Sequence, residues 1–313
     1  MHEGSRTAVV AALLANSGIA VAKFGGFAVT GAASLLAEAV HSLADAGNQG
    51  LLLLGGSRAR KAASPDHPFG FGRERYFWAF VVALVLFLLG GVFAIYEGVQ
   101  KLGHPHEVEN LPVAIGILLV AIGLETVSLR TAILEARKVK GDESWWAFIR
   151  HSKSPELPVV LLEDIGAELG LFLALAGVVM ARVTDEARWD AAGSLGIGIL
   201  LVVIAVVLVI EMKSLLIGES ATPGDIGRIE GALSSAPGVR SIIHLRTQHI
   251  GPDELLVAAK VELGAELTFA EVAACVDGAE QAIRAAVPTA RLIYLEPDVT
   301  RPAGMAPGPA AGH

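Results

Sequence analysis

The sequence predicts an all-α membrane domain of six spanning helices, followed by a small α/β domain. Three observations carry this. Of 313 residues, 53% are hydrophobic and 18% are charged, with mean hydropathy +0.57, which leaves too little polar material to cover two soluble domains. Apolar runs of about 20 residues, the length a helix needs to cross a bilayer core, recur six times before residue 217. After residue 218 no run is that long, and the pattern shifts to short alternating segments.

The composition also excludes several classes. One cysteine, Cys275, rules out a disulfide framework and a Cys-rich zinc site. Net charge is −8 and no Lys/Arg-rich arm exists, so no nucleic-acid partner is expected. The hydrophobic content excludes general disorder. No nucleophile–base arrangement or phosphate loop occurs, so no enzyme and no tightly bound cofactor are expected. The N-terminal stretch lacks a small-residue cleavage site after its apolar part and reads as a retained span.

The six spans cover roughly residues 8–29, 32–56, 76–100, 112–134, 158–182 and 190–217. The first two are joined by the short TGAAS turn and form a tight helical hairpin. Residues 1–217 are thus one transmembrane domain. Residues 218–300 form the α/β domain. Within it, 223–236 has helical spacing, and 240–249 and 254–262 read as strands around the turn Gly251-Pro252-Asp253. Residues 268–287 read as an amphipathic helix and 291–296 as a last strand. The order αββαβ suits a sheet covered by helices on one face. The Pro/Gly/Ala-rich tail 301–313 reads as disordered.

Loop charge sets the expected orientation. The loop after span two holds Arg58, Arg60, Lys61, Arg73 and Arg75. The loop after span four holds Arg137, Lys138, Lys140, Arg150 and Lys153. The loop after span three has only Lys101. The positive-inside rule puts the first two loops in the cytoplasm, and with them both termini. The expected location is a multi-pass protein of a bacterial inner membrane.

The informative residues are the charged ones inside the spans, since a charge at the bilayer centre costs about 2.5–3.5 kcal/mol on insertion scales. Span two holds Glu38, His41 and Asp45; span five holds Glu163, Asp164 and Glu168. His41 and Asp45 are four apart, on one face and one turn from each other, and Asn48 continues that face. Asp164 and Glu168 have the same relation, with Glu163 turned about 100° away. An imidazole and carboxylates converging between two helices would make a divalent-cation site, and zinc accepts such N and O donors. Without Cys or a nearby Met, Cu(I) is excluded. Blander roles are a histidine bonded to a neighbouring helix, Glu38 and Glu163 facing water at a boundary, and Lys23 snorkelling to the interface. Asn16 and Asn48 read as helix–helix contacts. Lys23 of span one and Glu125 of span four would neutralise each other as a pair.

Taken together, TGAASLLAEAVHSLADAGNQGLLLLG at 30–55, PDHPFGFGRERYFWAF at 65–80, LLEDIGAELG at 161–170 and WDAAGSLGIGILL at 189–201 resemble the cation diffusion facilitator family of metal transporters, and within it the zinc-transporter-9-like branch. The resemblance covers about residues 7–298. It implies a six-helix homodimer with a cytoplasmic ferredoxin-like domain that serves dimerisation. It also implies efflux of Zn(II), or a similar divalent ion, in exchange for protons across a lipid membrane. His41 and Asp45 match the family's span-two metal ligands. On span five, where many members carry His-x-x-x-Asp, this chain has no histidine. Asp164 best matches the aspartate, and the fourth ligand is Glu163, Glu168 or water. In the first cytoplasmic loop Asp66 and His67 are present, but Phe71 stands where a second histidine would complete a metal site. Lys260 and Tyr294 stand where strand histidines would bind metal, so His244 and His249 read as ordinary strand or turn residues. His104 and His106 read as surface-loop residues. Two alternatives stay open: the same architecture carrying Mn, Fe, Co or Cd, or a membrane metal sensor or scaffold that binds without transporting.

Overall fold

The computed structural model describes residues 3–104 and 110–299. His106 and the tail 301–313 lie outside the described residues. The chain divides into two compact units, Met1–Leu216 and Ile217–His313.

The first unit is helical. Helix α1 (Glu3–Thr30) and α2 (Ala33–Arg58) meet at a turn in which Gly31 has φ +63°, a left-handed conformation that glycine adopts without steric cost. Helix α3 (Glu74–Val85) runs through a π-helical segment (Leu86–Val92) into α4 (Phe93–Gly103), making one rod. Then come α5 (Leu111–Lys140), the short α6 (Trp145–His151), α7 (Glu156–Thr184) and α8 (Arg188–Ile217). Among the described residues three rods are long and apolar enough to cross a membrane: Glu74–Gly103, Leu111–Lys140 and Arg188–Ile217. Helices α1, α2 and α7 reach similar lengths of 28, 26 and 29 residues.

Two elements have no counterpart in the sequence reading. Helix α6 is capped by Ser144, whose hydroxyl accepts from the Ala147 N–H at 3.1 Å, and it buries Phe148 and Ile149 against Ala136 and Leu161. The π-helical segment is the other. A widened turn of this kind re-aims the residues around it and is found mostly at functional places. Here it brings Gly90 and Gly91 onto α8 and α2. A β-carbon at Gly91 would stand 2.6 Å from Val202 Cγ2, and one at Gly198 would stand 2.7 Å from the Ile95 backbone nitrogen. Glycine therefore sets how closely this rod packs on α8.

The start of α2 is tied to the start of α8. Asp190, fully buried, accepts from the backbone N–H groups of Ala33 (2.8 Å) and Ser34 (3.3 Å) and from the Ser34 hydroxyl. A carboxylate there satisfies orphan donors of the first turn and complements the helix dipole. Lys101 at the end of α4 completes the clamp, 3.4 Å from Asp190 and donating to the Gly31 carbonyl at 2.5 Å.

The second unit contains α9 (Pro223–Ser235), β1 (Val239–Gly251), β2 (Glu254–Leu263), α10 (Phe269–Ala286) and β3 (Ala290–Asp298). The sheet order is β1-β2-β3, antiparallel then parallel. Alternate residues of β2, from Leu255 to Leu263, are buried against Ile229 and Leu233 of α9 and Ile283 of α10. The αββαβ order and the helix-covered face follow the sequence pattern. On the opposite face His244 pairs with Lys260, whose ammonium bonds Glu296 and Asp298, both at 2.9 Å. These carboxylates hold the Lys260 ammonium above the usual lysine range. His249 is buried, with its ring 3.4 Å from the Gly251 carbonyl.

Candidate metal site

Helix α2 is rich in alanine where it is buried (Ala33, Ala37, Ala39, Ala44, Ala46), and small residues let neighbouring helices approach its polar face. On that face His41 is fully buried, and its Nε2 lies 3.4 Å from Asp45 Oδ2. Neither ring nitrogen has a hydrogen-bond partner, and neither has Asp45 Oδ1. A buried imidazole without partners is costly as a purely structural residue. Gly90 of the π-helical segment makes room for it: a β-carbon there would sit 3.7 Å from His41 Nδ1.

Asn48 lies one turn beyond Asp45. Its side-chain amide donates to Glu163 Oε1 at 2.6 Å, so Glu163 of α7 faces α2. Asp164 and Glu168 do not. Asp164 accepts from the Ser128 hydroxyl at 3.0 Å and Glu168 from the Thr126 hydroxyl at 2.9 Å, both on α5. The i, i+4 pair on α7 does share a face, but that face turns to α5. The carboxylates of Glu163, Glu125 and Asp164 are still near enough to act electrostatically on Asp45.

The convergence of His41, Asp45, Glu163, Asp164 and Glu168 expected from spacing is therefore incomplete in this arrangement. Among the described residues no three His, Cys, Asp or Glu side chains are gathered closely enough to hold a metal ion. What exists is a preformed pair on α2, with Glu163 held opposite by Asn48 and two further carboxylates parked on α5 hydroxyls. In the first loop His67 stacks on Phe71 with ring centroids 4.5 Å apart.

The charge pairing between α1 and its neighbours also differs from the sequence reading. Lys23 does not pair with Glu125. Its ammonium lies 3.1 Å from Glu38 Oε2 and donates to the Ser42 hydroxyl at 2.7 Å. The hairpin explains this, since adjacent antiparallel helices bring residues fifteen and nineteen apart together. Asp190 escaped the sequence reading altogether, because its partners Ala33 and Ser34 are 157 and 156 residues away.

A bundle of apolar helices with ionisable side chains turned inward defines a membrane protein that handles ions. The chain belongs to the cation efflux family: residues 9–217 match the cation efflux transmembrane domain, and residues 221–298 match the cation efflux protein cytoplasmic domain. It is 33% identical over 263 residues to the proton-coupled zinc antiporter SLC30A9, mitochondrial, of Homo sapiens, covering 83% of this chain and 46% of that protein. It is 30% identical over 265 residues to metal tolerance protein C4 of Arabidopsis thaliana, covering 84% and 58% respectively. The chain thus spans about half the length of these curated relatives. A solved structure, "MamM-CTD 215-293", aligns at 20% identity over 24% of this chain and 95% of its own, with a TM-score of 0.23.

Proposed function

We propose that this chain exports a divalent cation, zinc first, across a membrane in exchange for protons. The observation that carries the reading is the fully buried His41, both ring nitrogens without partners, 3.4 Å from Asp45 on one face of α2. Intramembrane ionisable residues of this kind mark ion pathways. In the proposed site His41, Asp45 and Glu163 are the first ligands. Asp164 or Glu168 joins when α7 moves relative to α5 and gives up a hydroxyl partner. Family membership and the zinc antiporter relatives support the substrate class.

The proposed coupling is competition. A ligand atom holds either a proton or the metal ion, so loading protons expels metal and loading metal expels protons. All six long helices span the membrane, with both termini in the cytoplasm of a bacterial cell, and the α/β domain joins two copies into a homodimer. One imidazole among carboxylates is also a donor set that harder ions accept, which makes a same-family transporter of Mn, Fe, Co or Cd the second reading.

The test is metal uptake into proteoliposomes with a panel of divalent ions and an imposed pH gradient. Zinc flux that speeds up when protons run the opposite way is the expected result. Flux indifferent to the gradient removes the exchange mechanism, and binding without flux turns the reading to a sensor or scaffold.

A further inference from the structure

We propose that Glu38 is a second cation station on the transport path, occupied in the metal-free state by the Lys23 ammonium as a tethered substitute for the travelling ion. The proposal rests on the transport reading above.

Lys23 and Glu38 are both buried, at 1% and 0% exposure. As a source of stability such a pair is a poor choice, because desolvation of two charges can cancel their attraction. As a transport element it has three useful properties. First, only one carboxylate oxygen is engaged. Glu38 Oε2 meets Lys23, while the buried Oε1 has no hydrogen-bond partner. That free oxygen faces α7, where a β-carbon at Gly170 would stand 2.5 Å from it. Second, Glu38 is one turn from His41 on α2, a rise of about 4.5 Å along the helix. Ser42, which also binds Lys23, is the residue next to His41. An ion leaving His41 and Asp45 toward the N-terminal end of α2 would meet Glu38 next.

Third, the ammonium has somewhere to go. A cavity of about 450 Å³ opens between α1 and α5 beside Lys23, lined by Ile19, Ala22, Gly116, Val120 and Leu124 among others. Lysine carries its charge on a flexible four-carbon stem, so the head can move without the backbone. Glu125 follows Leu124 on α5, and the Lys23 charge acts on it electrostatically. A divalent ion at Glu38 would displace the ammonium into this space, toward Glu125. Return of the ammonium would then push the ion onward.

The experiment measures zinc transport kinetics in proteoliposomes for the parent, Lys23→Gln, Glu38→Gln and the double variant, each checked for monodispersity in detergent. Removing the tethered competitor should trap the ion. Lys23→Gln is expected to lower KM for zinc about fivefold or more and to lower kcat with it. The double variant, lacking the station, should return KM to the parent value. An unchanged or raised KM in Lys23→Gln, or a low KM that persists in the double variant, overturns the proposal. Should Lys23→Gln not fold, Glu38→Gln decides alone: a lowered kcat at parent KM supports the station, and parent kcat refutes it. If the parent moves no divalent ion, the transport reading falls and the station with it. A parent that moves zinc while Lys23→Gln keeps its KM removes the station only.

Discussion

The side-chain amide of Asn48 donates to Glu163 Oε1 at 2.6 Å, joining α2 to α7 within the membrane-type unit. This bond turns one carboxylate of α7 toward the His41–Asp45 face while its neighbours point to α5. Asn48→Ala frees Glu163 from that orientation. Partners that orient metal ligands typically contribute about 10–100-fold in affinity or activity. Zinc titration of the purified variant should show a weakening in that range, with His41 and Asp45 intact. Parent affinity in Asn48→Ala would mean that Glu163 does not face the ion.

The same geometry ranks the candidate ligands. His41→Ala and Asp45→Ala are expected to abolish metal flux, because they remove the preformed pair. Among the α7 carboxylates, Glu163→Gln should cost more zinc affinity than Glu168→Gln, since Glu168 is bonded to Thr126 of α5. Flux and binding assays on the four variants check this, and a larger loss in Glu168→Gln reverses the order.

Gly198 tests the glycine contact between the π-interrupted rod and α8. A β-carbon there would stand 2.7 Å from the Ile95 backbone nitrogen and 2.9 Å from the Gly91 carbonyl oxygen. Backbone cannot step aside as a side-chain tip can, so Gly198→Ala should destabilise the helical unit by about 1–3 kcal/mol. Thermal denaturation in detergent reads this directly. Gly196→Ala, whose added carbon meets only Leu173 side-chain atoms at 3.4 Å or more, should be far milder.

Asp190→Ala leaves the buried N–H groups of Ala33 and Ser34 without their acceptor and strands Lys101. Leaving a buried donor unsatisfied costs about 1–3 kcal/mol. The melting temperature should fall. Asp190→Asn keeps one acceptor oxygen and should fall less.

The α/β unit carries a pH signature. Glu271 and Thr268 form a capping box at the start of α10, and the Thr268 backbone and hydroxyl hydrogen bonds hold the Glu271 carboxyl below its usual range. A depressed carboxyl stabilises the fold at pH above its unfolded value, and that stabilisation is lost as pH falls through the folded value. Glu271→Gln should therefore melt below the parent near neutral pH. The gap should close as pH drops from about 5 toward 3. A gap that stays constant over that window would show that the charge of Glu271 contributes nothing.

Much of this organisation is legible in the chain. Long apolar runs foretell the helical rods, and alternation in 254–262 foretells the half-buried strand β2. The i, i+4 spacing of His41 and Asp45 foretells their contact. Spacing along one helix, however, says nothing of which neighbour that helix faces. Asp164 and Glu168 share a face as their numbers require, yet that face meets Ser128 and Thr126. Lys23 could choose between Glu38 and Glu125, and the hairpin geometry made the choice. The cap on α2 comes from a residue 157 positions away, beyond any local signal. The widened turn at Leu86–Val92 carries no proline or polar residue to announce it.

That widened turn makes the rod unusually sensitive to changes in chain length. A π-helical turn holds residues that an α-helix would not need. Deleting one residue between Leu86 and Val92 would let the stretch close toward an ordinary α-helix, and everything after it would rotate by about 100°. Gly98 would swing off Leu195 and Ala191, and Lys101 would lose both Gly31 and Asp190. A single deletion here would thus act at the far end of the rod as several substitutions made at once.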